Sequence, residues 1–276
     1  MSNIKFLILL ALTTSLVSCG SHNDTSKPAA AEPTVTEQYV EKADPLLDTD
    51  LTNYHDKEVN GLSAKKVTDL NEATIKELYR RPRAATYPDG DRKPRVGEIS
   101  IEVAQQLLNS IKIHPVVSME VKEKYEQPDT EIGYCFGRAA YLHWALYKMG
   151  VDHRSIRKAW IMGSIHSSDF YWEFHVATIV RVNDGRWIAI DNFTGRLLEV
   201  RDWVNFYTPF NVGFKNLRIY ISDPTRFSIS KGAYSRAQMG VDLARDVDWY
   251  RGYFVDLMDW FKTHSLAEVG LPTDLR

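Results

Sequence analysis

The residues from Gly133 to Gly150 constrain the fold most, because they place a cysteine where an irregular, glycine-containing segment becomes a helix. A stripe of small or apolar side chains follows at helical spacing: Ala139, Leu142, Leu146 and Met149. Gly150 suits the left-handed conformation that commonly ends a helix. A thiol at Cys135, in the first helical turn, would face unpaired backbone N–H groups and the positive end of the helix dipole, which favour the thiolate. A buried, unreactive cysteine is the plain alternative.

The first residues, 1–18, are typical of a lipoprotein signal peptide. A positive charge precedes an apolar run at 6–12 that is too short to span a bilayer. Residues 16–20, Leu-Val-Ser-Cys-Gly, resemble the lipobox of bacterial lipoproteins. We therefore expect cleavage before Cys19, acylation of that cysteine and anchoring in a membrane of the bacterial cell envelope. By analogy with lipoprotein sorting, glycine rather than aspartate after the cysteine, at Gly20, favours the outer membrane. The alternative interpretation of these residues is a conventional signal peptide.

The segment after the anchor changes composition twice before the main domain. Residues 19–45 are rich in Ser, Thr, Ala, Pro and Glu, which predicts a disordered tether. Residues 46–98 are expected to form a helical and loop segment, with a helix over 71–81 capped by Asp69 or Thr68.

Arg80 to Arg95 is a basic loop dense in Pro and Gly. Its simpler interpretation is a solvated surface loop. The alternative is a protease-sensitive junction, which would make residues 46–98 a candidate pro-region. Residues 99–276 are expected to form the main domain, beginning with a helix that Ser100 caps. Further elements are predicted from apolar spacing: a helix over 101–111, strands over 116–121, 155–162 and 217–221, and a terminal helix over 242–264.

Cysteine usage points to a single chemical role. The chain contains two cysteines, and acylation would remove Cys19 from redox chemistry. Cys135 would then be the only thiol of the exported domain, which excludes a structural disulfide. A lone thiol in an oxidising compartment is a candidate nucleophile.

Composition excludes several other classes of protein. The formal net charge is −2, which gives no electrostatic case for a nucleic-acid partner. The sequence contains no spaced His or Cys ligand set for zinc and no acidic calcium loop. It also has no glycine-rich nucleotide motif, so we expect neither a metal nor a cofactor.

The clearest pair of strands covers 174–182 and 186–191, joined by Asn183-Asp184-Gly185. His175 lies near the start of the first strand. A thiol hydrolase needs a base to take the cysteine proton and a third group to orient that base. His175 is therefore the candidate base, although a histidine at such a position is more often structural.

The turn between these strands decides which residue faces His175. A two-residue turn would place Asn192 on the face of His175. A type I turn followed by a left-handed Gly185 pairs Val182 with Arg186 and places Asp191 there instead. The order Asn-Asp-Gly favours the second arrangement, so we predict Asp191 as the orienting group, with Asn192 as the fallback.

Three motifs together resemble bacterial protein-glutaminase (protein-glutamine deamidase): Cys-Phe-x-Arg-Ala at 135–139, Trp-x-Phe-His-Val-Ala at 172–177 and Ile-Asp at 190–191. The resemblance covers roughly residues 133–194. The family usually has proline after the aspartate, whereas Asn192 stands here.

This resemblance implies an α+β fold with a papain- and transglutaminase-like core, in which the helix carrying the nucleophile packs on an antiparallel sheet carrying His and Asp. It implies Cys135 as nucleophile, His175 as general base and acid, and Asp191 as orienter. The implied reaction is hydrolysis of glutamine side-chain amides in proteins or peptides, without metal or cofactor. A pro-region that covers the active site is also a property of that family.

Other functions are compatible with the same residues. A transglutaminase would pass the thioester to an amine, and a cysteine peptidase would cut the backbone. The third alternative is a non-catalytic, lipid-anchored envelope protein that binds a partner.

Overall fold

The computed structural model describes residues 46–81, 95–126, 133–166, 171–212, 216–230 and 232–276. The predicted signal peptide, the Cys19 lipidation site and the tether lie outside these residues, as does most of the basic loop. Within the described ranges, no helix combines the length and the apolar character that a membrane span requires.

Six α-helices, a five-stranded sheet and several short 3-10 helices make up the regular structure of the described residues. The helices are α1 (Leu51–Val59), α2 (Ala64–Arg80), α3 (Ile101–Ile113), α4 (Cys135–Lys148), α5 (Val200–Tyr207) and α6 (Tyr253–Thr263). The strands are β1 (Ile156–His166), β2 (Tyr171–Arg181), β3 (Trp187–Ile190), β4 (Leu198–Glu199) and β5 (Arg218–Ser222). They lie in the order β4-β3-β2-β1-β5, and each neighbouring pair is antiparallel. Helices on an antiparallel sheet confirm the mixed α and β composition of the predicted fold.

Each face of the sheet is covered by helices. Helix α4 lies on the face that carries Val180, Ile188 and Ile190, within a core that also includes buried residues of α3 and α6. The Thr178 hydroxyl donates to the Ala139 carbonyl at 2.8 Å, which ties α4 to β2. The opposite face packs against α2 and α5. The sheet is thus the middle layer. Helix α4 covers the residues for which the sequence predicted a helix that begins at the candidate nucleophile.

Local capping explains where α3 and α2 begin, and the predicted start of α2 was wrong. Ser100 caps α3 by accepting the Val103 N–H, as predicted. Helix α2 begins seven residues earlier than the predicted start at 71, because Ser63 accepts the Lys66 N–H and caps it. Thr68 and Asp69 therefore lie inside the helix.

Two further predictions were wrong for a shared reason. Residues 116–121 form a turn and the start of a 3-10 helix (Met119–Lys124) instead of a strand. The His114 ring accepts the Val116 N–H at 3.1 Å, which stabilises the turn. The terminal helix begins at Tyr253 instead of 242, because the Asp248 carboxylate accepts the N–H groups of Tyr250 and Gly252 and holds a turn. Local side-chain bonds replace regular structure in both places.

The described part of residues 46–98 is integrated into the domain. Leu51 of α1 is fully buried against Trp160 and Val176. Ile75 and Leu78 of α2 are buried against the sheet. These helices are part of the hydrophobic core rather than a loosely attached segment.

Candidate active site

Cys135 is the first residue of α4, and the turn before it is strained. Tyr134 adopts a left-handed conformation with φ 48°, which is uncommon for a residue other than glycine. Its buried ring stacks on Tyr253 with centroids 4.6 Å apart. Arg138 donates to the Gly133 carbonyl at 2.7 Å and closes the turn from the other side. The surrounding packing therefore fixes the position at which the sulfur leaves the helix.

The hairpin adopts the predicted bulged turn. Val182 N–H donates to the Arg186 carbonyl at 2.9 Å, and Gly185 has φ 87°. Thr178 consequently pairs with Ile190. The next position places Asp191 on the His175 face, and Nε2 of His175 lies 2.8 Å from Asp191 Oδ2.

Asn192, the fallback orienter, makes no hydrogen bond to His175 among the described residues. The structure thus brings Cys135, His175 and Asp191 together and leaves Asn192 out of the contact.

The His175 ring interacts with both Asp191 and Cys135. Nε2 is bonded to Asp191, and the imidazole also interacts with the thiol of Cys135, beside which it lines the same cavity. The backbone of Val176 also helps to lower the pKa of this thiol. The carboxylate of Asp191, the imidazole of His175 and the thiol of Cys135 are therefore neighbours in space, with the imidazole in the middle.

The electrostatics of the three groups favour an ion pair. Burial would raise the pKa of the Cys135 thiol, but the hydrogen bond and charge of His175, with the charge of Arg138, bring that pKa below its ordinary value. Burial opposes protonation of His175, yet Asp191 and the thiolate raise the pKa of His175 to about 9. Although burial disfavours its charged form, Asp191 has a pKa lowered below the usual range by His175 and by further hydrogen-bond donors. Each shift favours the charged form of its group, so thiolate, imidazolium and carboxylate stabilise one another.

Two aromatic residues of α5 contact the Asp191 carboxylate and were not predicted. Trp203 Nε1 and Tyr207 Oη donate to Oδ2 at 2.8 and 2.7 Å. The Phe193 N–H donates to Oδ1 at 3.0 Å. Spacing of apolar residues at 200, 203, 204 and 207 would have predicted α5. That spacing does not indicate that the side chains of Trp203 and Tyr207 reach the end of β3.

A further aromatic residue shields the imidazole. The Trp172 indole stacks on the His175 ring with centroids 5.2 Å apart and planes inclined by 14°. His175 is only 2% exposed and Asp191 4% exposed. Little water therefore reaches the bond between them, which strengthens its electrostatic component.

A cleft of about 420 Å³ leads to the sulfur. Cys135 and His175 lie at its wall, and most of the remaining lining is aromatic or apolar: Tyr134, Phe136, Tyr171, Trp172, Phe174, Ile229 and Trp249. Glu173 adds one carboxylate. Trp249, which lies before the start of α6, is 55% exposed. Among the described residues, none upstream of Gly133 lines this cleft.

Among the described residues, no group of three or more His, Cys, Asp or Glu side chains is arranged to hold a metal ion. Comparisons with protein-family models, with curated proteins and with solved structures find no match. The interpretation of the site therefore depends on its own geometry and on the three motifs.

Proposed function

We propose that this protein is a cysteine amidohydrolase that converts glutamine side chains of proteins or peptides to glutamate and releases ammonia. The observation that carries the proposal is the grouping of the Asp191 carboxylate, the His175 imidazole bonded to it and the Cys135 thiol around one cavity. The cleft supports it, because it has room for a glutamine side chain and part of its backbone. The resemblance of the three motifs to protein-glutaminase favours a side-chain amide over a peptide bond.

The first half of the proposed reaction forms a thioester. The Cys135 thiolate attacks the carboxamide carbon, and the carbonyl electron pair moves to oxygen. The Cys135 backbone N–H, at the start of α4, has no acceptor within the helix and serves as one donor to that oxyanion. His175 gives its proton to the nitrogen, the oxyanion pair re-forms the carbonyl, and the C–N bond breaks, so that ammonia leaves and the thioester remains.

Hydrolysis completes the cycle. His175, now neutral, takes a proton from water, and the resulting hydroxide adds to the thioester carbon. The C–S bond breaks, glutamate is released, and the thiolate–imidazolium pair is restored. Asp191 holds its charge throughout and fixes the orientation of the ring.

The proposal extends to fold and location. The layered arrangement of α4 on β2 and β3 is compatible with a papain- and transglutaminase-like core, to which we assign the domain. The lipobox-like residues at 16–20 support an envelope protein anchored through Cys19 in the outer membrane. Its substrates would then be proteins or peptides with accessible glutamine in that compartment.

The test is ammonia release from glutamine-containing peptides and denatured proteins, with and without an added primary amine. Mass spectrometry distinguishes an acid product from an amine adduct or from new N-termini. We expect the acid product, with Cys135→Ala inactive and matched asparagine peptides poor substrates. Failure of the intact and the proteolytically nicked protein on all these substrates would overturn the proposal.

A further inference from the structure

Two buried donors on α5 converge on one oxygen atom. Asp191 Oδ2 accepts from Trp203 Nε1 at 2.8 Å and from Tyr207 Oη at 2.7 Å, in addition to His175 Nε2 at 2.8 Å. Both aromatic side chains are fully buried. With the Phe193 N–H on Oδ1, the carboxylate has four donors, about as many as it has lone-pair sites.

This arrangement restricts rotation of the carboxylate. Donors from α5 and from the backbone after β3 approach it from separate elements, so turning the carboxylate would break bonds to buried groups. Leaving a buried donor unpaired costs free energy, which stabilises the single orientation seen here. That orientation is the one that meets Nε2 of His175.

We propose that Trp203 and Tyr207 are positioning residues that act through Asp191, holding its carboxylate so that the His175 ring stays turned toward the Cys135 sulfur. The inference rests on the proposed function, since it assigns these residues to the same triad. Its direct consequence, activation of the thiol, is measurable without any substrate.

A merely structural role for α5 gives a different expectation. Helix α5 also packs through Val200 and Val204 against the sheet, so any damage to that packing would act independently of the charge on Asp191. A positioning residue, in contrast, loses its influence when the carboxylate is absent. A double-mutant cycle between Tyr207 and Asp191 separates the two roles.

Other ionisable groups near the sulfur stay unchanged in such a cycle. Besides His175 and Asp191, they are Arg138 on α4, Lys158 on β1 and Tyr253 on α6, each of which interacts electrostatically with Cys135. The cycle compares variants in the same background, so the contributions of these groups cancel.

The experiment measures the rate of alkylation of Cys135 by iodoacetamide between pH 5 and pH 9, resolved by mass spectrometry in the full chain. The variants are Tyr207→Phe, Asp191→Asn and the double variant, with Trp203→Phe as a second probe of the same carboxylate. Tyr141→Phe is the matched control, because it removes another buried hydroxyl, bonded to Ser110 at 2.8 Å, away from Asp191.

We expect Tyr207→Phe to slow alkylation below neutral pH by about 10-fold, as for one hydrogen bond to a charged group. In the Asp191→Asn background the same change should have almost no effect, and Tyr141→Phe should match wild type. Trp203→Phe should behave like Tyr207→Phe, which covers the case in which one variant does not fold. Equal effects with and without Asp191, or no effect of either variant, would overturn the inference.

Deamidation assays on the same variants keep the two proposals separate. If glutamine peptides are substrates, kcat should fall with the alkylation rate while KM changes little, and the proposed function and the inference both hold. A coupled alkylation cycle in a protein that deamidates nothing would retain the inference and reject the glutaminase function.

Discussion

The charge of the Asp191 side chain determines how strongly the imidazolium form of His175 is favoured. It is an ion in a buried site, paired with the imidazole and bonded to donors from other elements. An uncharged amide at this position would keep the shape and lose the charge that favours imidazolium. Thiolate formation at Cys135 depends on that imidazolium, so a substitution at Asp191 should change the reactivity of the sulfur.

We predict that Asp191→Asn lowers kcat for glutamine hydrolysis by about 10²–10⁴-fold, since the base loses its charged partner. Asn192→Ala is the matched control, because Asn192 is the next residue and is not bonded to His175. It should change kcat less than threefold, or about 0.6 kcal/mol. Steady-state kinetics on one glutamine peptide checks both variants. A loss at Asn192 comparable to that at Asp191 would show that the orienting group was wrongly assigned.

At the scale of elements, the features that depend on residues close together in the chain could be predicted from the sequence. The Asn-Asp-Gly turn fixed the hairpin register, and Gly185 has the left-handed conformation that this register requires. The start of α4 at Cys135 and the end marked by Gly150 were also readable. The donors on α5 were not, because their contact with Asp191 depends on how that helix packs across the sheet. No spacing within α5 encodes that packing.

Gly137 shows how packing between elements reverses a local preference. A Cβ at this position in α4 would lie 2.5–2.7 Å from ring and hydroxyl atoms of Tyr253, which is buried on α6. Alanine inside a helix is normally favoured over glycine by about 1 kcal/mol. Here the missing side chain allows α4 and α6 to approach closely, next to the turn that presents Cys135.

We predict that Gly137→Ala lowers the free energy of unfolding by about 1–3 kcal/mol, because the added methyl group overpacks a rigid interface. Denaturant unfolding followed by circular dichroism measures this. Adding Tyr253→Leu, which removes the ring, should make the Gly137→Ala change less costly than it is alone. A Gly137→Ala variant as stable as wild type would contradict the close approach.

At the scale of the whole molecule, the sheet is enclosed by helices from both ends of the chain. Residues 46–81 supply α1 and α2, which cover parts of both faces, and α6 completes the core around α4. Arg218 of β5 forms an ion pair with Glu58 of α1 at 2.9 Å and donates to the Thr74 hydroxyl of α2 at the same distance. A chain that lacks these helices would expose much of the apolar surface of β1 and β5.

We predict that a chain beginning at residue 99 is unfolded or aggregated, whereas one beginning at residue 46 folds. Each buried side chain removed with α1 and α2, such as Ile75, takes with it roughly 1.5–3 kcal/mol of hydrophobic stabilisation. Thermal unfolding and gel filtration of the two chains test this. A stable, monodisperse chain from residue 99 would instead support a removable pro-region.

The measurement that tests the account most directly is the pH profile of Cys135 alkylation in wild type and in His175→Ala. Because the pKa of the thiol is lowered and that of His175 is raised to about 9, the thiolate–imidazolium pair should form below the ordinary thiol pKa and persist up to about pH 9. Wild type should therefore stay reactive below the pH at which an ordinary cysteine becomes protonated. The His175→Ala variant should react only as the pH approaches the ordinary thiol pKa. Identical profiles for the two proteins, both following an ordinary thiol, would contradict the account.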